Sequence, residues 1–422
     1  KNLPHSKVLH TIDEREQICD NCGSTMVKVG EEFVRTEVQF IPAKLKVIDH
    51  YRETYECRSC RKNGTPYMEK APVPYPPVLH SLASASTITW LIHQKFELSI
   101  PLYRQEKEWE ALGLRLSRAT MSNWLLVVYR DWLVHIVHRL KLELLKQRYL
   151  HIDETHVQVL KEPGRKNTSD SYMWVYCSIR DAVNPIRYFE YQPGRSGKYP
   201  EAFLREYEGY IHTDAYSGYN AVSGVKRCLC YTHLRRAFVD ALPKDIHNSE
   251  ASKPAEAILR LNQFFNIESE LEALPPDQKK KERLIREKPL LEAFWSWAEK
   301  SAIGELPKSK LSKAFHYALN NREGFWNYLE DGNCSISNSL AENCIRPFVI
   351  GRKNWLFSGS PKGAEASAGI YTLVETAKAN GLAPMKYIKY ILSDMPGSAF
   401  LEHPEYLDDY LPWNPLVKEF CR

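Results

Sequence analysis

Two aspartates stand where the sequence predicts strands. The segment YLHIDETHVQVL, residues 149–160, alternates apolar and polar side chains, which predicts a β-strand with Asp153 and Glu154 in its middle. Asp214 follows a second, short strand in HTDAYSGYN. A charge near a sheet costs several kcal/mol unless it has a partner. Two such aspartates in one predicted sheet therefore favour a metal site over two separate caps or ion pairs.

A divalent-cation site of this kind needs a third acid. Magnesium prefers oxygen ligands, and two ions about 3.5–4 Å apart can activate the attacking oxygen and stabilise the leaving oxygen in phosphoryl transfer. Spacing leaves the choice open among Glu342, Glu365, Glu375 and Glu154. Glu342 also has a purely structural interpretation, because Ser339-x-x-Glu342 is a capping-box pattern that closes a helix N-terminus.

Basic and aromatic residues follow Glu342. Residues 342–390 hold seven Lys or Arg and three Glu, with Trp355 among the positive residues. Basic side chains beside aromatic ones suit a nucleic-acid backbone with an unstacked base, although a solvated helix face has the same pattern. The candidate phosphate contacts are Arg346, Arg352 and Lys353.

Four cysteines form two C-x-x-C pairs near the N-terminus. The pairs are Cys19 with Cys22 and Cys57 with Cys60. Two such pairs in tight turns bind one tetrahedral zinc ion in a structural site. The alternating segments 31–40 and 44–57 predict strands that bring the second pair back to the first, as in a zinc ribbon. Unrelated redox or core pairs, and a disulfide framework, are the weaker interpretations.

Pattern changes divide the 422-residue chain into a multidomain α/β protein. The segments are a zinc ribbon (1–70), a proline-rich linker (71–80), a helical, helix-turn-helix-like domain (81–146), the first part of an α/β core (147–241), a helical insertion with a charged break at 275–288 (242–330), the last part of the core (331–395) and a C-terminal tail (396–422). Three consecutive strands, a helix and a short strand are predicted in the first part of the core.

The region before the core predicts a helix, a glycine turn and a second helix. Pro101 would open the first helix, Gly113 would end it, and Ser117 would cap the second. A DNA-binding helix-turn-helix has this arrangement, and so does an ordinary helical hairpin. The candidate DNA contacts on the second helix are Arg118, Thr120, Ser122 and Asn123.

Charge and hydropathy narrow the class of protein. A net charge of +5 permits a polyanionic partner without requiring one. The longest apolar stretch, within residues 124–140, is interrupted by charged and histidine side chains, and the N-terminus lacks an apolar signal core. We therefore expect a cytoplasmic protein. Because the first residue is Lys, we also expect that a preceding segment was removed.

The most specific motif is AENCIRPFVIGRKNWLFSGSPKGAEASAGIYTLVETAKANGL, residues 341–382. Together with HIDET, HTDAYSGYN, CYTHLRR and the cysteine pairs, it resembles the transposases of the insertion sequence 66 family over nearly the whole chain. The resemblance implies a ribonuclease-H-like core with an Asp-Asp-Glu triad on Asp153, Asp214 and Glu342. It implies Mg²⁺ (or Mn²⁺) at the triad and a structural Zn²⁺ at the four cysteines.

The implied activity is that of a DNA transposase of a bacterial mobile element. Such an enzyme hydrolyses phosphodiesters at the element's ends and joins the freed 3′-OH to target DNA. Its partners would be terminal inverted repeats, target DNA and further copies of the chain, as a homodimer or higher multimer at the nucleoid. A need for accessory proteins stays open. So do two other functions, a DNA-binding regulator derived from an inactive transposase and a nuclease of the same core fold.

Several residues near the motifs are further candidates for DNA contacts or metal ligands. Arg236 and His233 are added as DNA contacts, and Glu154 is expected to be structural. Cys228 and Cys230 with His233 hint at a second metal, but a small core beside a polar helix start is preferred because a fourth ligand is not evident.

The sequence departs from the family pattern in two places. Many members have Asp-Asn-Asn before the Ala-Glu pair and Arg after it, whereas this chain has Ser337, Ser339 and Asn343. That puts local hydrogen bonds and DNA contacts in question, and leaves the metal ligand intact. Members also commonly have a longer N-terminal region, which could matter for assembly.

Overall fold

The computed structural model describes residues 7–36, 44–243 and 252–422. The chain divides into two compact units, residues 1–48 and 49–422, which are described separately below. Within the described residues, no helix is long and apolar enough to cross a membrane.

In the first unit, the chain around Cys19 and Cys22 forms a tight turn. The backbone N–H groups of Cys22 and Gly23 donate to the Cys19 carbonyl at 3.3 and 2.8 Å. Gly23 has a φ of 73°, a conformation that glycine adopts at little cost. The strand predicted at 31–40 is wrong for residues 31–36, which are exposed and irregular, and its remainder lies outside the described residues.

The second unit begins with a small hairpin around the other cysteine pair. Its elements are β1 (Thr54–Glu56), α1 (Arg58–Lys62) and β2 (Met68–Lys70), with β1 antiparallel to β2. Cys57 precedes α1, and its carbonyl accepts from the Arg61 N–H at 3.1 Å. The strand predicted at 44–57 is wrong except for β1. Residues 44–53 alternate in polarity, but all are exposed, so no buried face fixes them as a strand.

Four helices precede the sheet. They are α2 (Ala85–Ile92), α3 (Leu102–Ala111), α4 (Arg118–Val128) and α5 (Val134–Leu145), with π-helical turns at His93–Glu97 and Tyr129–Leu133. Ser117 caps α4 as predicted, because its hydroxyl accepts from the Thr120 N–H at 3.1 Å. Their buried residues, such as Trp124 and Leu140, belong to the same hydrophobic core as the sheet.

A mixed sheet forms the centre of the second unit. Its strands are β3 (Tyr149–Val159), β4 (Asp170–Ser178), β5 (Arg187–Gln192), β6 (Gly209–Thr213) and β7 (Val225–Leu229), with α6 (Lys198–Phe203) between β5 and β6. The order is β5-β4-β3-β6-β7. The first three strands are antiparallel neighbours, whereas β6 runs parallel to β3 and β7 parallel to β6. This topology is consistent with a ribonuclease-H-like core.

Helices follow the sheet up to residue 326. They are α7 (Tyr231–Val239), α8 (Lys253–Glu270), α9 (Pro276–Arg286), α10 (Lys288–Ala302), α11 (Lys310–Asn320) and α12 (Arg322–Trp326). All of them except α9 contribute to a second hydrophobic core with β7. The charged break predicted at 275–288 is wrong, because α9 occupies it. Pro276 is the first residue of α9, where a proline costs no hydrogen bond.

Arg283 of α9 explains why this charged segment is ordered. Its side chain is fully buried. Nε and Nη2 donate to the two carboxylate oxygens of Glu268 at 2.6 and 2.7 Å. The remaining three N–H groups donate to the carbonyls of Tyr328, Asp331 and Cys334 at 3.1, 3.0 and 2.8 Å. All five donors of the guanidinium are therefore used, and α9 is tied to the segment at 328–334.

Glu287, beside this arginine, makes the free energy of unfolding depend on pH. Burial, and then the charge of Glu268, raise the pKa of Glu287 to about 7. An unfolded glutamate has a pKa near ~4.3, so the free energy of unfolding falls as the pH rises from about 4 to about 7. The variant Glu287→Gln cannot ionise. We expect it to be more stable than the wild type by about 3 kcal/mol at pH 8, with the gain shrinking as the pH falls below about 7 and nearly absent at about pH 4.

Urea unfolding at pH 5 and pH 8 measures this effect. Glu292→Gln, on an exposed position of α10, is the matched control and should change neither midpoint. An equal midpoint of Glu287→Gln and wild type at pH 8 would contradict the prediction.

The chain ends with four helices, of which the first two pack on the sheet. They are α13 (Ser339–Trp355), α14 (Pro361–Ala379), α15 (Pro384–Asp394) and α16 (Pro415–Cys421), and β8 (Phe357–Ser358) pairs with the end of β3. On α14, Thr372 and Thr376 accept hydrogen bonds from backbone N–H groups of β5, at Phe189 and Arg187. These two hydroxyls satisfy donors on a strand edge that would otherwise be unpaired.

Candidate active site

The register of β3 and β6 brings the two aspartates together. His151 and His212 are neighbours in this parallel pair, and their rings stack at 4.2 Å between centroids. Asp153 follows two residues later within β3, and Asp214 is the residue directly after the end of β6. Because side chains alternate with a period of two, both aspartates lie on the same face as the histidines. The sequence repeats His-x-Asp in the two strands, and the pairing places the two copies side by side.

The environment of Asp153 is strongly unfavourable to its charge. Burial, and then the negative charges of Glu154, Asp214 and Glu342, raise the pKa of Asp153 to about 7. The backbone N–H of Glu154, at 2.9 Å from Oδ1, opposes this shift. The residues whose charges reach Asp153 thus include one acid from β6 and one from α13. Such a group of carboxylates favours a bound cation.

The Glu342 side chain does not close a capping box. The N-cap of α13 is Asn338 and Ser339 is the first helical residue, so the capping-box interpretation is wrong. The backbone N–H that Glu342 would have satisfied, that of Ser339, donates instead to the hydroxyl of Ser337 at 3.1 Å. Glu342 Oε1 is buried without a hydrogen-bond partner and lies 3.7 Å from Nδ1 of His233.

Asn338 fixes the start of α13 against β3. Its side chain is buried, and its Oδ1 accepts from Nδ1–H of His151 at 3.0 Å. Its Nδ2 donates to the carbonyl of Ile152 at 2.7 Å, the residue before Asp153. Burial, and then His212, lower the pKa of His151 well below its usual value, which keeps this ring neutral. Asn338 therefore sets the position of Glu342 relative to Asp153.

His212 makes the matching contact from β6. Its Nδ1–H donates to the carbonyl of Leu150 at 3.1 Å, and its Nε2 accepts from the backbone N–H of Ser335 at 2.9 Å. The segment 335–338 is thus hydrogen-bonded to both histidines. Sequence reasoning missed this network, although the repeated His-x-Asp pattern was a signal for it.

Replacing Asn338 tests the network. Asn338→Ala leaves the His151 ring N–H and the Ile152 carbonyl buried without partners, at a cost of about 1–3 kcal/mol each. We expect a matching loss in the free energy of urea unfolding. Asn343→Ala, at an exposed position of the same helix, is the control and should stay within ~0.5 kcal/mol of wild type. Equal losses in the two variants would mean that Asn338 does not hold α13.

Glu154, which was expected to be structural, is engaged by side chains within the protein. Its side chain is 2% exposed and accepts from Nε of Arg195 at 2.6 Å and from the hydroxyl of Tyr219. Arg195 also lies 3.9 Å from Oδ2 of Asp214, and its guanidinium covers the ring of Tyr216. Arg195 was missed because it lies in the GRSGK loop, where no periodicity marks its direction.

The loop after Asp214 is held by a second arginine. Arg227 donates from Nε to the Thr213 hydroxyl at 2.7 Å and from Nη2 to the Asp214 carbonyl at 2.6 Å. Nη2 also donates to the Tyr216 carbonyl at 2.9 Å. The backbone that presents Asp214 is thereby fixed independently of Arg195.

The other candidates for the third acid lie on α14, the helix that covers β5. Glu375 forms an ion pair with Lys378 at 2.8 Å, and burial raises the pKa of Glu365. The glutamates whose charges raise the pKa of Asp153 are Glu154 and Glu342. Since Glu154 is engaged by Arg195, Glu342 stays the candidate for the third acid whose charge reaches Asp153.

The predicted DNA contacts fall into two groups. Exposed side chains are Arg118, Thr120, Asn123, Arg236, Arg346 and Lys353, and Ser122 is half-buried. Arg352 instead donates to the Thr155 hydroxyl at 3.0 Å and to the His156 carbonyl, which ties α13 to β3. Trp355 packs against Phe348, with ring centroids 5.3 Å apart. These last two side chains serve packing within the protein.

The predicted metal ligands offer two kinds of donor atom. Asp153, Asp214 and Glu342 offer carboxylate oxygens, which fit Mg²⁺ or Mn²⁺. Each of the two C-x-x-C turns offers a pair of thiols, a donor type that zinc favours.

Comparisons with known proteins show which family the chain is similar to. A model of the family described as "Transposase IS66 family" matches residues 80–366. A second, the "zinc-finger binding domain of transposase IS66", matches residues 16–61, which include all four paired cysteines. Three similar proteins come from Sinorhizobium fredii (strain NBRC 101917 / NGR234). The uncharacterized protein y4hP is 26% identical over 95% of this chain and 75% of its own length; y4jD is 26% identical over 98% and 81%, and y4qI 27% over 97% and 76%.

Proposed function

Because the chain belongs to the IS66 family of transposases, we propose that it cleaves phosphodiesters at insertion-sequence ends and joins the freed 3′-OH to target DNA. The observation that carries the proposal is the strand register that places His151 beside His212, with Asp153 and Asp214 each two residues further on; the charges of Asp214 and Glu342 also raise the pKa of the half-buried Asp153. These residues come from two neighbouring strands and a helix far apart in sequence. Their common position supports a ribonuclease-H-like catalytic core, as does the strand order.

In this proposal Asp153, Asp214 and Glu342 hold the catalytic cations. Bound Mg²⁺ or Mn²⁺ would supply Lewis-acid activation of the attacking oxygen and charge stabilisation of the leaving oxygen. Arg195 and Arg227 keep Asp214 in place, and Asn338 fixes the helix that carries Glu342. The protein's contribution is thus to hold three carboxylates in one orientation before DNA arrives.

The N-terminal cysteines have a different role. We infer from the family match at residues 16–61 that Cys19, Cys22, Cys57 and Cys60 would hold one structural Zn²⁺ in a domain within residues 1–70. A closed four-thiolate site leaves no position for substrate, so this metal stabilises the fold and takes no part in the chemistry.

DNA would bind the exposed basic residues. Arg118 and Asn123 lie on the first turns of α4, in the predicted domain 81–146, and Arg346 and Lys353 lie on α13 with Glu342. Arg236 lies on α7. The partners are the terminal repeats and target DNA, and a multimer of at least two chains would hold the two ends of the element together.

A cleavage and joining assay tests the proposal. The full chain is incubated with labelled DNA that carries the flanking terminal repeats, with and without Mg²⁺, and with DNA of unrelated sequence as the control. Mg²⁺-dependent products joined to target DNA support a transposase. Cleavage without joining would instead indicate a nuclease, and specific binding without cleavage a DNA-binding regulator, and either result would overturn the proposal.

A further inference from the structure

A group of three metal-ligating side chains lies beside the proposed triad. Cys230 is the N-cap of α7, His233 is on the first turn of α7, and Glu342 is on the first turn of α13. One ligand atom from each, sulfur, nitrogen and oxygen, lies within 4.8 Å of the other two. Cys228, which the sequence suggested for the same group, belongs to a different one.

Among the described residues, two of these ligand atoms have no hydrogen-bond partner. His233 Nδ1 and Glu342 Oε1 are buried and make no hydrogen bond, although buried polar atoms nearly always have a partner. They lie 3.7 Å apart. A tetrahedral zinc ion with bonds of about 2.1 Å would hold two such atoms about 3.4 Å apart. The observed spacing needs only a small side-chain adjustment to admit the ion.

The environment of the Cys230 sulfur also favours metal binding. Cys230 is buried, and its Sγ accepts a hydrogen bond from the backbone N–H of Asn338 at 3.2 Å. A donor aimed at sulfur stabilises the thiolate form, which is the form that binds metals. Thiolate, imidazole and carboxylate are together typical of zinc sites, whereas magnesium takes oxygen ligands.

A second group, in the sheet, is the alternative location for such an ion. His212, Cys228 and Cys334 are all buried, and their ligand atoms also lie within 4.8 Å of one another. Both nitrogens of His212 are already used, by the Leu150 carbonyl and the Ser335 N–H. Metal binding there would break one of these buried hydrogen bonds, so the group at Cys230 is favoured.

We propose that Cys230, His233 and Glu342 bind Zn²⁺ in a site separate from the four-cysteine zinc. His233 and Glu342 are half-buried, so a fourth position is open to water. Zinc bound there would occupy Glu342 and withdraw it from the carboxylate set of Asp153 and Asp214. Zinc would then inhibit Mg²⁺-dependent cleavage. The inhibition rests on the proposed function, whereas the binding rests on the geometry of the three side chains.

Metal counting on the full chain tests the binding. After equilibrium dialysis against micromolar Zn²⁺, Cys230→Ser is expected to hold one zinc ion per chain fewer than wild type. The control variant Cys19→Ser/Cys22→Ser should lose the zinc ion of the four-cysteine site and keep the ion at Cys230. Equal counts in wild type and Cys230→Ser would overturn the proposal, and so would a loss that occurs only in Cys334→Ser.

Cobalt spectroscopy gives a readout that does not depend on a count. With zinc already bound to the four-cysteine pairs, added Co²⁺ should produce a thiolate-to-cobalt absorption band in wild type. The band should be lost in Cys230→Ser and in His233→Asn, while both variants keep the circular dichroism spectrum of wild type. Absence of the band in wild type itself would overturn the proposal whatever the variants do.

The inhibition is tested separately. In wild type, Mg²⁺-dependent cleavage should fall as the second zinc ion binds, over the same range of Zn²⁺ concentration. If zinc binds and cleavage continues unchanged, Glu342 is not shared between the two sites and that part of the proposal is wrong. If no cleavage occurs even without zinc, the proposed function fails, and the metal count still decides the binding.

Discussion

Asp153→Asn and Glu342→Gln are each expected to lower the rate of Mg²⁺-dependent DNA cleavage about 1000-fold. Each variant removes one negative charge and one oxygen ligand and preserves the shape of the side chain. A metal ion that polarises a phosphoryl oxygen contributes several kcal/mol to transition-state stabilisation, and a loss of about 4 kcal/mol corresponds to that factor. Single-turnover cleavage of labelled end DNA measures it.

Glu375→Gln is the matched control for Glu342→Gln. It makes the same chemical change at a glutamate that the sequence spacing also allowed as the third acid. Glu375 lies on α14, which packs on β5, and forms an ion pair with Lys378. Its cleavage rate should equal that of wild type. DNA binding, measured by mobility shift, should be unchanged in all three variants. A large loss in Glu375→Gln with normal cleavage by Glu342→Gln would move the third acid to α14.

Asp153 and Asp214 were predictable from sequence because the signal is local. Alternation over residues 149–160 identifies β3, and an acid at a strand end is visible without knowing the fold. The structure adds the register, in which His151 lies beside His212. That pairing joins segments some sixty residues apart, and no local pattern encodes it.

Glu342 was not predictable by spacing because its position depends on distant contacts. The capping-box pattern at Ser339 was a reasonable local interpretation, and the structure overturns it through Asn338, which bonds to His151 and Ile152. A buried asparagine in a polar stretch gives no periodic signal. Only the packing of α13 on β3 shows that it positions the acid.

The strands predicted near the N-terminus were wrong because a clear local pattern was present without a core to bury it. Residues 31–36 and 44–53 have the alternating pattern of strands, but their side chains are exposed, and nothing in the pattern says whether a core exists to bury one face. The error at 275–288 is similar. A run of Lys and Arg predicts a solvated segment, yet one of its members, Arg283, is fully buried.

Arg283→Met is expected to lower the free energy of unfolding by about 3–5 kcal/mol. The change leaves Glu268, 11% exposed, without its bidentate partner and leaves three buried carbonyls without donors. Removing one member of a buried ion pair has a cost of this size. Lys279 lies 3.3 Å from Glu268 and can neutralise part of the carboxylate charge that Arg283→Met leaves unpaired. Its observed contacts do not include the three carbonyls.

Arg286→Met is the control for Arg283→Met, since it lies one turn later on α9 and pairs with the exposed Glu270. A surface pair of this kind contributes about 0–1 kcal/mol. Urea unfolding should therefore separate the free energies of unfolding of the two variants by at least about 2 kcal/mol.

Arg283 holds the segment at 328–334, which leads directly into Asn338 and α13. If the buried arginine anchors that segment, limited proteolysis of Arg283→Met should cut first between residues 328 and 338; equal stability and uncut chains in both variants would show that α13 is positioned from the sheet alone.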